Sequence, residues 1–261
     1  MHPDDALWFV FHDKKLLLLP GKTGADALIR RRENPFSQKT GQTPRVHELG
    51  EHQGLPCYAC TLESLPHTTA DTYVPTELRA SYDILGVPLY TLAGKGAELI
   101  HWDGQTRFCP ACGTRTIPGT AISKKCPGCG NELFPHIAVA IIVLVRKGDS
   151  ALLIRAHNFR GTSHGLVAGF LEPGETLEEC VEREVLEETG LAVENIRYFG
   201  CQPWPYPSGL MVGFTADYKD GEIILQTEEL SAAAFFHKDS LPELPAKLSI
   251  ARRLIDNWLE G

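Results

Sequence analysis

The stretch from Gly169 to Leu191 constrains this chain most, because it marks both ends of a helix and puts charge where a helix normally buries apolar side chains. Thr176 can cap the N-terminus, with Glu179 three residues on completing a capping box, and Gly190 can end the helix in a left-handed conformation. These signals predict a helix from about 177 to 189. At about 100° per residue, Glu184, Glu187 and Glu188 fall in a sector roughly 100° wide, on the azimuth that Leu177, Cys180 and Val181 occupy one to two turns earlier. The three carboxylates therefore continue the apolar stripe, whereas Glu178, Glu179 and Glu182 lie away from it and suit a solvated face. Inward carboxylates repel one another and lose hydration, at a cost of roughly several kcal/mol each unless positive charge compensates. Arg183 supplies one such charge, and divalent cations can supply the rest. Oxygen ligands at this density suit Mg²⁺ or Mn²⁺, hard ions that keep waters for a phosphate-bearing substrate.

The second constraint is cysteine spacing. Cys109-Pro-Ala-Cys112-Gly and Cys126-Pro-Gly-Cys129-Gly are two Cys-x-x-Cys knuckles separated by 13 residues. The two-residue gap lets both thiolates of a knuckle reach one tetrahedral ion, and the following glycine relieves crowding where backbone N–H groups turn toward sulfur. A structural zinc site of four cysteines is predicted, in a ribbon over roughly 104–133. Cys57-Tyr-Ala-Cys60 has no glycine turn and no matching second pair, so these are expected to be strand cysteines; Cys180 and Cys201 are expected to be buried.

Before the ribbon, Leu7–Phe11 and Leu16–Leu19 read as short extended segments, and one helix is expected near Thr76–Leu85. Gly21-Lys22-Thr23 invites a phosphate-loop reading, which fails because that motif needs glycine where Leu16 stands. After the ribbon, Ile137–Val145 reads as a buried strand and Ala151–Arg155 as a second, across the turn Lys147–Asp149. The final segment Lys247–Leu259 carries an apolar helical stripe, and no internal repeat is visible. The organisation expected is 1–103, 104–134 and 135–261.

With 43% hydrophobic and 22% charged residues the chain of 261 can bury a sizeable core, which excludes disorder. Its longest apolar run is nine residues, short of the roughly 20 a bilayer span needs, and its acidic start lacks the basic flank of an export signal. A soluble, cytoplasmic protein with no membrane partner is expected. The formal charge of −8 disfavours a long electrostatic track for nucleic acid.

The stretch 169–191 resembles the Nudix signature at every defining position: Gly169, five residues, Glu175, seven residues, Arg183-Glu184, aliphatic Val185, one residue, Glu187-Glu188, one residue, Gly190 and Leu191. Eleven positions on, Gln202-Pro203-Trp204-Pro205-Tyr206-Pro207 is similar to the Gln-Pro-Trp-Pro-Phe-Pro element of NADH pyrophosphatases of the NudC type. That family also places a four-cysteine ribbon before its Nudix domain, so the resemblance covers the whole chain, least strongly in its N-terminal third. It implies an α/β fold, an α/β/α Nudix sandwich with a mixed sheet, behind a zinc ribbon and a small N-terminal α+β domain.

The resemblance further implies metal-dependent hydrolysis of NADH or NAD⁺ to nicotinamide mononucleotide and AMP, and removal of NAD caps from RNA. It assigns metal binding and catalysis to Glu184, Glu187, Glu188 and Glu229, with the backbone carbonyl of Ala168 as a further ligand. Glu187 and Glu188 both remain open as general base. Phe170 and Phe134 correspond to an aromatic pair that stacks on nicotinamide, the second reaching across from the partner subunit of a homodimer. Arg79 and Ala251 align with substrate-contacting positions, and Gln202, Pro203, Trp204, Pro205, Tyr206, Pro207, Ser208 and Gly209 would line the pocket. The three alternating prolines suggest an extended path with Trp204 and Tyr206 on one side. One departure stands out: the family reads Pro-x-Ser-Leu-Met where this chain reads Pro207-Ser208-Gly209-Leu210-Met211, which displaces a hydroxyl by one residue.

Two alternatives stay open at this stage. One is a Nudix enzyme for another diphosphate, such as ADP-ribose or a dinucleoside polyphosphate. The other is a zinc-ribbon nucleic-acid adaptor with an inactive Nudix domain, disfavoured by the complete carboxylate set and a ribbon whose basic residues are only Arg107, Arg115, Lys124 and Lys125.

Overall fold

In the computed structural model residues 5–32, 45–64, 72–157 and 161–261 are described, and the chain divides into two units, Met1–His136 with Pro205–Ser208, and Ile137–Trp204 with Gly209–Gly261. In the first unit the apolar run Ala6–Phe11 becomes β1 (Ala6–His12), buried along its first six residues because strands flank it on both edges. It pairs antiparallel with β2 (Lys15–Leu18) and β3 (Ile29–Arg31). β4 (His47–His52), β5 (Leu55–Leu62) and β6 (Val74–Thr76) complete a sheet of order β4-β5-β1-β2-β6, with β3 on β1 and β5 parallel to β1. The hairpins β1–β2 and β4–β5 turn on two residues of positive φ each, Asp13 and Lys14, then Gln53 and Gly54, the backbone that suits strand twist. Cys57 and Cys60 lie in strand β5 as expected and are buried, as is Cys180, while Cys201 is exposed rather than buried.

The helix expected near Thr76–Leu85 is only α1 (Tyr82–Leu85), a single turn after a 3-10 turn at Arg79–Ser81. The long helix is α2 (Val87–Gln105), which no sequence signal above predicts. Gly94, Gly96 and Gly104 weaken its helical propensity by roughly 1 kcal/mol each relative to alanine. Packing explains Gly96: a Cβ there would stand 2.8 Å from that of Ala59 in β5, so glycine allows helix and sheet to approach.

The ribbon follows as a three-stranded sheet of β7 (Ile117–Pro118), β8 (Lys124–Lys125) and β9 (Glu132–Leu133). Lys124, one of the ribbon's four basic residues, is buried and bonds both the carbonyl and the carboxylate of Asp103 at 2.7 Å.

The second unit contains β10 (Ala138–Lys147), β11 (Ser150–Ala156), β12 (Val167–Phe170), α3 (Leu177–Thr189), β13 (Ala192–Pro203), β14 (Gly209–Asp220), β15 (Leu230–His237) and α4 (Ile250–Glu260). Its sheet runs β13-β14-β10-β11-β15, with β12 on β10 and a parallel β10–β14 pair. Alternate residues of β10 serve opposite faces. Ile141, Val143 and Val145 pack in the core with Cys180, Val181 and Val185 of α3, whereas Ile142 and Leu144 pack with Ile250, Leu254, Ile255 and Trp258 of α4. The unbroken apolar run thus reflects a mixed sheet covered on both faces, the α/β/α sandwich.

Strand for strand, the two six-stranded sheets share one topology, including the central parallel pair. The fold therefore repeats where the sequence shows no repeat. The place of α3 falls in the first unit between β3 and β4, where residues 33–44 lie outside the described residues and Glu33 is their single acidic side chain. Among the described residues no helix is long and apolar enough to cross a membrane.

Candidate active site

Helix α3 has the ends its sequence signals. The Thr176 hydroxyl accepts from the N–H of Glu179, whose carboxylate accepts from the N–H of Thr176, and Gly190 closes the helix in the left-handed region at φ 72°. Val181 and Val185 anchor it in the core, and the same face delivers Glu184 and Glu188. Glu188 is 4% exposed, whereas the Glu187 side chain is 53% exposed. Two carboxylates, not three, continue the buried stripe; Glu187 sits at the edge of the sector and is half exposed.

Arg183 organises the acidic groups. It clamps Glu175 through Nε (2.6 Å) and Nη2 (3.0 Å), and donates through Nη1 to Glu184 (2.8 Å) and Glu187 (3.0 Å). Nη2 also donates to the carbonyl of Phe170 at 3.0 Å, which ties the helix to β12. Hydrogen bonding to Arg183 brings Glu175 down to about 2. Gly169 has a steric reason: a Cβ there would stand 1.8 Å from Cδ of Glu184, so the carboxylate occupies the space that glycine leaves.

Burial, then the charges of Glu184 and Glu229, push Glu188 up to about 8. Burial likewise raises Glu184, against the opposing pull of Arg183. Ala168 meets this group through its backbone N–H, which favours ionised Glu188. Glu229 arrives from the segment before β15, which is stitched to the end of α3 by Ile224 N–H to the Thr189 carbonyl (2.9 Å) and Gln226 N–H to the Glu188 carbonyl (3.1 Å). Glu188 Oε2 is buried with no hydrogen-bond partner. An orphaned carboxylate oxygen beside two further acids fits a hard divalent cation, which would satisfy the lone pairs and cancel the repulsion.

This geometry accompanies clear relationships. Residues 134–259 match the NUDIX domain family, and residues 5–102 match the NADH pyrophosphatase-like rudimentary NUDIX domain. The NAD-capped RNA hydrolase NudC of Escherichia coli is 36% identical over 260 residues, covering 97% of this chain and 93% of the relative. The chain belongs to the NudC-type Nudix family. Its counterpart from Citrobacter koseri is 37% identical over the same shares of both chains. A NUDIX hydrolase from Nitrosomonas europaea, solved by crystallography, superposes with a TM-score of 0.51 at 25% identity over 59% of this chain and 91% of that one. The rudimentary domain explains the repeated topology: the first unit of this NudC-type chain keeps the Nudix sheet.

The expected substrate-facing residues differ in what the structure does with them. Phe170 (67% exposed) and Phe134 (56% exposed) are both solvent-facing aromatics. The element Gln202–Gly209 is not extended: β13 ends at Pro203, β14 starts at Gly209, and the Trp204 N–H donates to the Gly209 carbonyl at 2.7 Å, making a hairpin loop with a cis Tyr206–Pro207 bond. The prolines restrict the chain, but the strand pairing on either side decides that it must reverse. Gln202 uses its amide inside the fold, donating to the Leu248 carbonyl (2.8 Å) and accepting from Ile250 N–H (2.7 Å) at the start of α4. Ala251 lies in the first turn of that helix, 8% exposed, in the core. The displaced Ser208 donates to the His136 carbonyl at 2.9 Å. Arg79 stacks over the Tyr206 ring, 4.7 Å from its centre, and Tyr206 shares a hydroxyl hydrogen bond with Tyr90, a residue sequence reasoning missed because α2 itself was not visible.

The sulfur atoms of Cys109, Cys112, Cys126 and Cys129 all lie within 4.8 Å of one another, the one such ligand set among the described residues. Cys109 and Cys129 are 3.7 Å apart, Cys112 and Cys126 3.4 Å. A tetrahedral ion with bonds of about 2.3 Å sets sulfur atoms about 3.8 Å apart, so the cluster could hold one. Both knuckles have the same backbone: Gly113 N–H bonds the Cys109 carbonyl and Gly130 N–H the Cys126 carbonyl, each at 2.9 Å, with both glycines at positive φ. Hydrogen bonding with Thr114 draws Cys112 down to about 6, whereas Cys129, against the backbone hydrogen bond at Asn131, is pushed up to about 12 by the three neighbouring sulfur atoms, a repulsion between thiolates that a cation would remove.

Proposed function

We propose that this chain hydrolyses the diphosphate bond of NADH and NAD⁺, releasing nicotinamide mononucleotide and AMP, and removes NAD caps from RNA 5′ ends. The observation that carries the hydrolytic reading is the buried, unpartnered oxygen of Glu188 beside Glu184 and Glu229. The substrate follows from full-length similarity to NAD-capped RNA hydrolases.

Glu184, Glu188 and Glu229 would hold Mg²⁺ or Mn²⁺. Bound divalent cations neutralise a diphosphate and lower the pKa of an attacking water. Arg183 keeps Glu184 and Glu187 oriented, and its bidentate bond to Glu175 prevents the guanidinium from swinging toward the substrate. Glu187, half-exposed and held at one oxygen by Arg183, is the carboxylate with room to take a proton from water. Water adds to one phosphorus, the bridging P–O bond breaks, and the oxygen leaves with the other phosphate. Phe170 would stack on the nicotinamide, with Phe134 of a second copy of the chain on its other face, which makes the active form a homodimer. Arg79 and Trp204–Gly209 would shape the pocket, with Gln202 and Ala251 behind it as residues whose partners lie inside the fold. Zinc held by the four cysteines would be structural, adding on the order of 10 kcal/mol to the folding of a segment too small for its own core. The setting would be the cytoplasm, where NADH and capped RNA occur together.

Purified protein in Mg²⁺ or Mn²⁺, offered NADH, NAD⁺, ADP-ribose and a dinucleoside polyphosphate in parallel, tests this reading. Mass spectrometry should find nicotinamide mononucleotide and AMP, formed faster than any product of the other diphosphates; faster cleavage of ADP-ribose would overturn the substrate assignment.

A further inference from the structure

Tyr90 and Gly94 lie one turn apart on one face of α2, and both meet the loop Pro205–Ser208. The Tyr90 hydroxyl hydrogen-bonds that of Tyr206. Tyr90 is buried and braced edge-on by Tyr82, with ring centres 5.2 Å apart, so its hydroxyl is a fixed point. A Cβ on Gly94 would stand 3.0 Å from Cγ of Pro205, which is itself buried. This contact accounts for Gly94, which serves no turn and weakens the helix but leaves the space that Pro205 fills. Arg79 covers the Tyr206 ring, and Ser208 is tied to the His136 carbonyl. The loop therefore groups with the first unit although Trp204 and Gly209, on either side of it, belong to the second.

We propose that Tyr90 and Gly94 are positioning residues, and that α2 is the seat which holds the Pro205–Ser208 loop, Tyr206 above all, in its substrate-lining conformation. This rests on the reading that Trp204–Gly209 line the pocket. Three prolines limit the loop's freedom, but the Tyr206 side chain is held in one arrangement by its partners, the Tyr90 hydroxyl and the Arg79 guanidinium. An unseated loop must be ordered when substrate binds, so the loss appears in binding rather than in the chemical step.

Three variants of the full chain test the proposal: Tyr90→Phe, Gly94→Ala and Tyr90→Phe/Tyr206→Phe. With NADH as substrate, each single variant should raise KM roughly three- to tenfold while kcat stays within about twofold. Gly94→Ala should keep or raise the melting temperature, since alanine is the better helix former, which separates positioning from a general loss of fold. The double variant should be no worse than Tyr90→Phe alone, because the two hydroxyls act through each other. Hydrogen exchange read by mass spectrometry over 202–212 should quicken in both single variants and stay unchanged over α3. Unchanged loop exchange, a double variant clearly worse than Tyr90→Phe alone, or a fall in kcat at constant KM would each overturn the proposal. Failure of the unaltered protein to cleave NADH would defeat the substrate reading instead, and the exchange data would still decide whether α2 seats the loop.

Discussion

Replacing Glu188 by glutamine should make the protein more stable when Mg²⁺ and Mn²⁺ are absent. The carboxyl is 4% exposed, its Oε2 has no partner, and burial with the charges of Glu184 and Glu229 lifts it to about 8 from an ordinary 4.5. A raised acid is protonated in both folded and unfolded chains below its ordinary pKa, so no penalty exists there. Between about pH 4.5 and 8 the unfolded chain releases the proton and the folded chain keeps it, and stability falls by up to about 1.4 kcal/mol per pH unit. At pH 7 the penalty is on the order of 2–4 kcal/mol once local water is allowed for. A neutral amide does not carry it. Thermal unfolding of both proteins from pH 4 to 8, in buffer free of Mg²⁺ and Mn²⁺ but without a chelator that would strip the cysteines, should show the glutamine variant melting higher at pH 7 by roughly 4–10 °C, a gap that closes toward pH 4. Adding Mg²⁺ or Mn²⁺ should stabilise the unaltered protein and leave the variant nearly unchanged. A variant that melts below the unaltered protein at pH 7, or a gap that does not change with pH, would refute the reasoning.

The other expectations address separate parts of the molecule. Glu187→Gln should leave a folded protein with NADH turnover reduced at least ~100-fold, since an amide neither accepts the proton nor complements a cation; near-normal turnover would remove Glu187 from the mechanism. Gly169→Ala places a Cβ on the Glu184 carboxyl and should cost about 100-fold in kcat/KM by displacing it; a retained rate would show that Glu184 can move harmlessly. Cys109→Ser or Cys126→Ser should damage folding more than turnover per folded molecule, with elemental analysis finding one zinc per chain in the unaltered protein and less in the variants. Phe170→Ala should impair NADH and NAD-capped RNA together, because one aromatic stack is worth roughly 1–3 kcal/mol for either substrate; loss on one alone would mean separate pockets.

Features closed within a few residues were legible in the sequence. The bounds of α3 follow from Thr176, Glu179 and Gly190, and both knuckle geometries follow from their own glycines, because caps and knuckles are made of neighbouring backbone groups. The same logic identified β5 and β10 as strands. Even the inward placement of Glu184 and Glu188 was readable, since a helix's period is local. Glu187 marks the limit: azimuth places a side chain within a sector, but burial depends on which neighbouring elements cover that part of it, and the Glu187 side chain is 53% exposed.

What only the tertiary structure decided is what depends on partners far along the chain. Glu229 reaches the acidic group because Ile224 and Gln226 bond the end of α3. Gln202 is consumed by α4, Lys124 by Asp103, and Ala251 by the core, assignments that no spacing within their own segments could reveal. Helix α2 was hidden because propensity penalises glycine, while tertiary contact at Ala59 requires it. The repeated sheet was invisible for a related reason: topology is preserved by pairing and burial, which many sequences satisfy, whereas the signature survives only where chemistry demands particular carboxylates. Local physics therefore wrote the helix, its inward acids and the knuckles into the sequence, and long-range packing determined which distant acid, glycines and amides joined them.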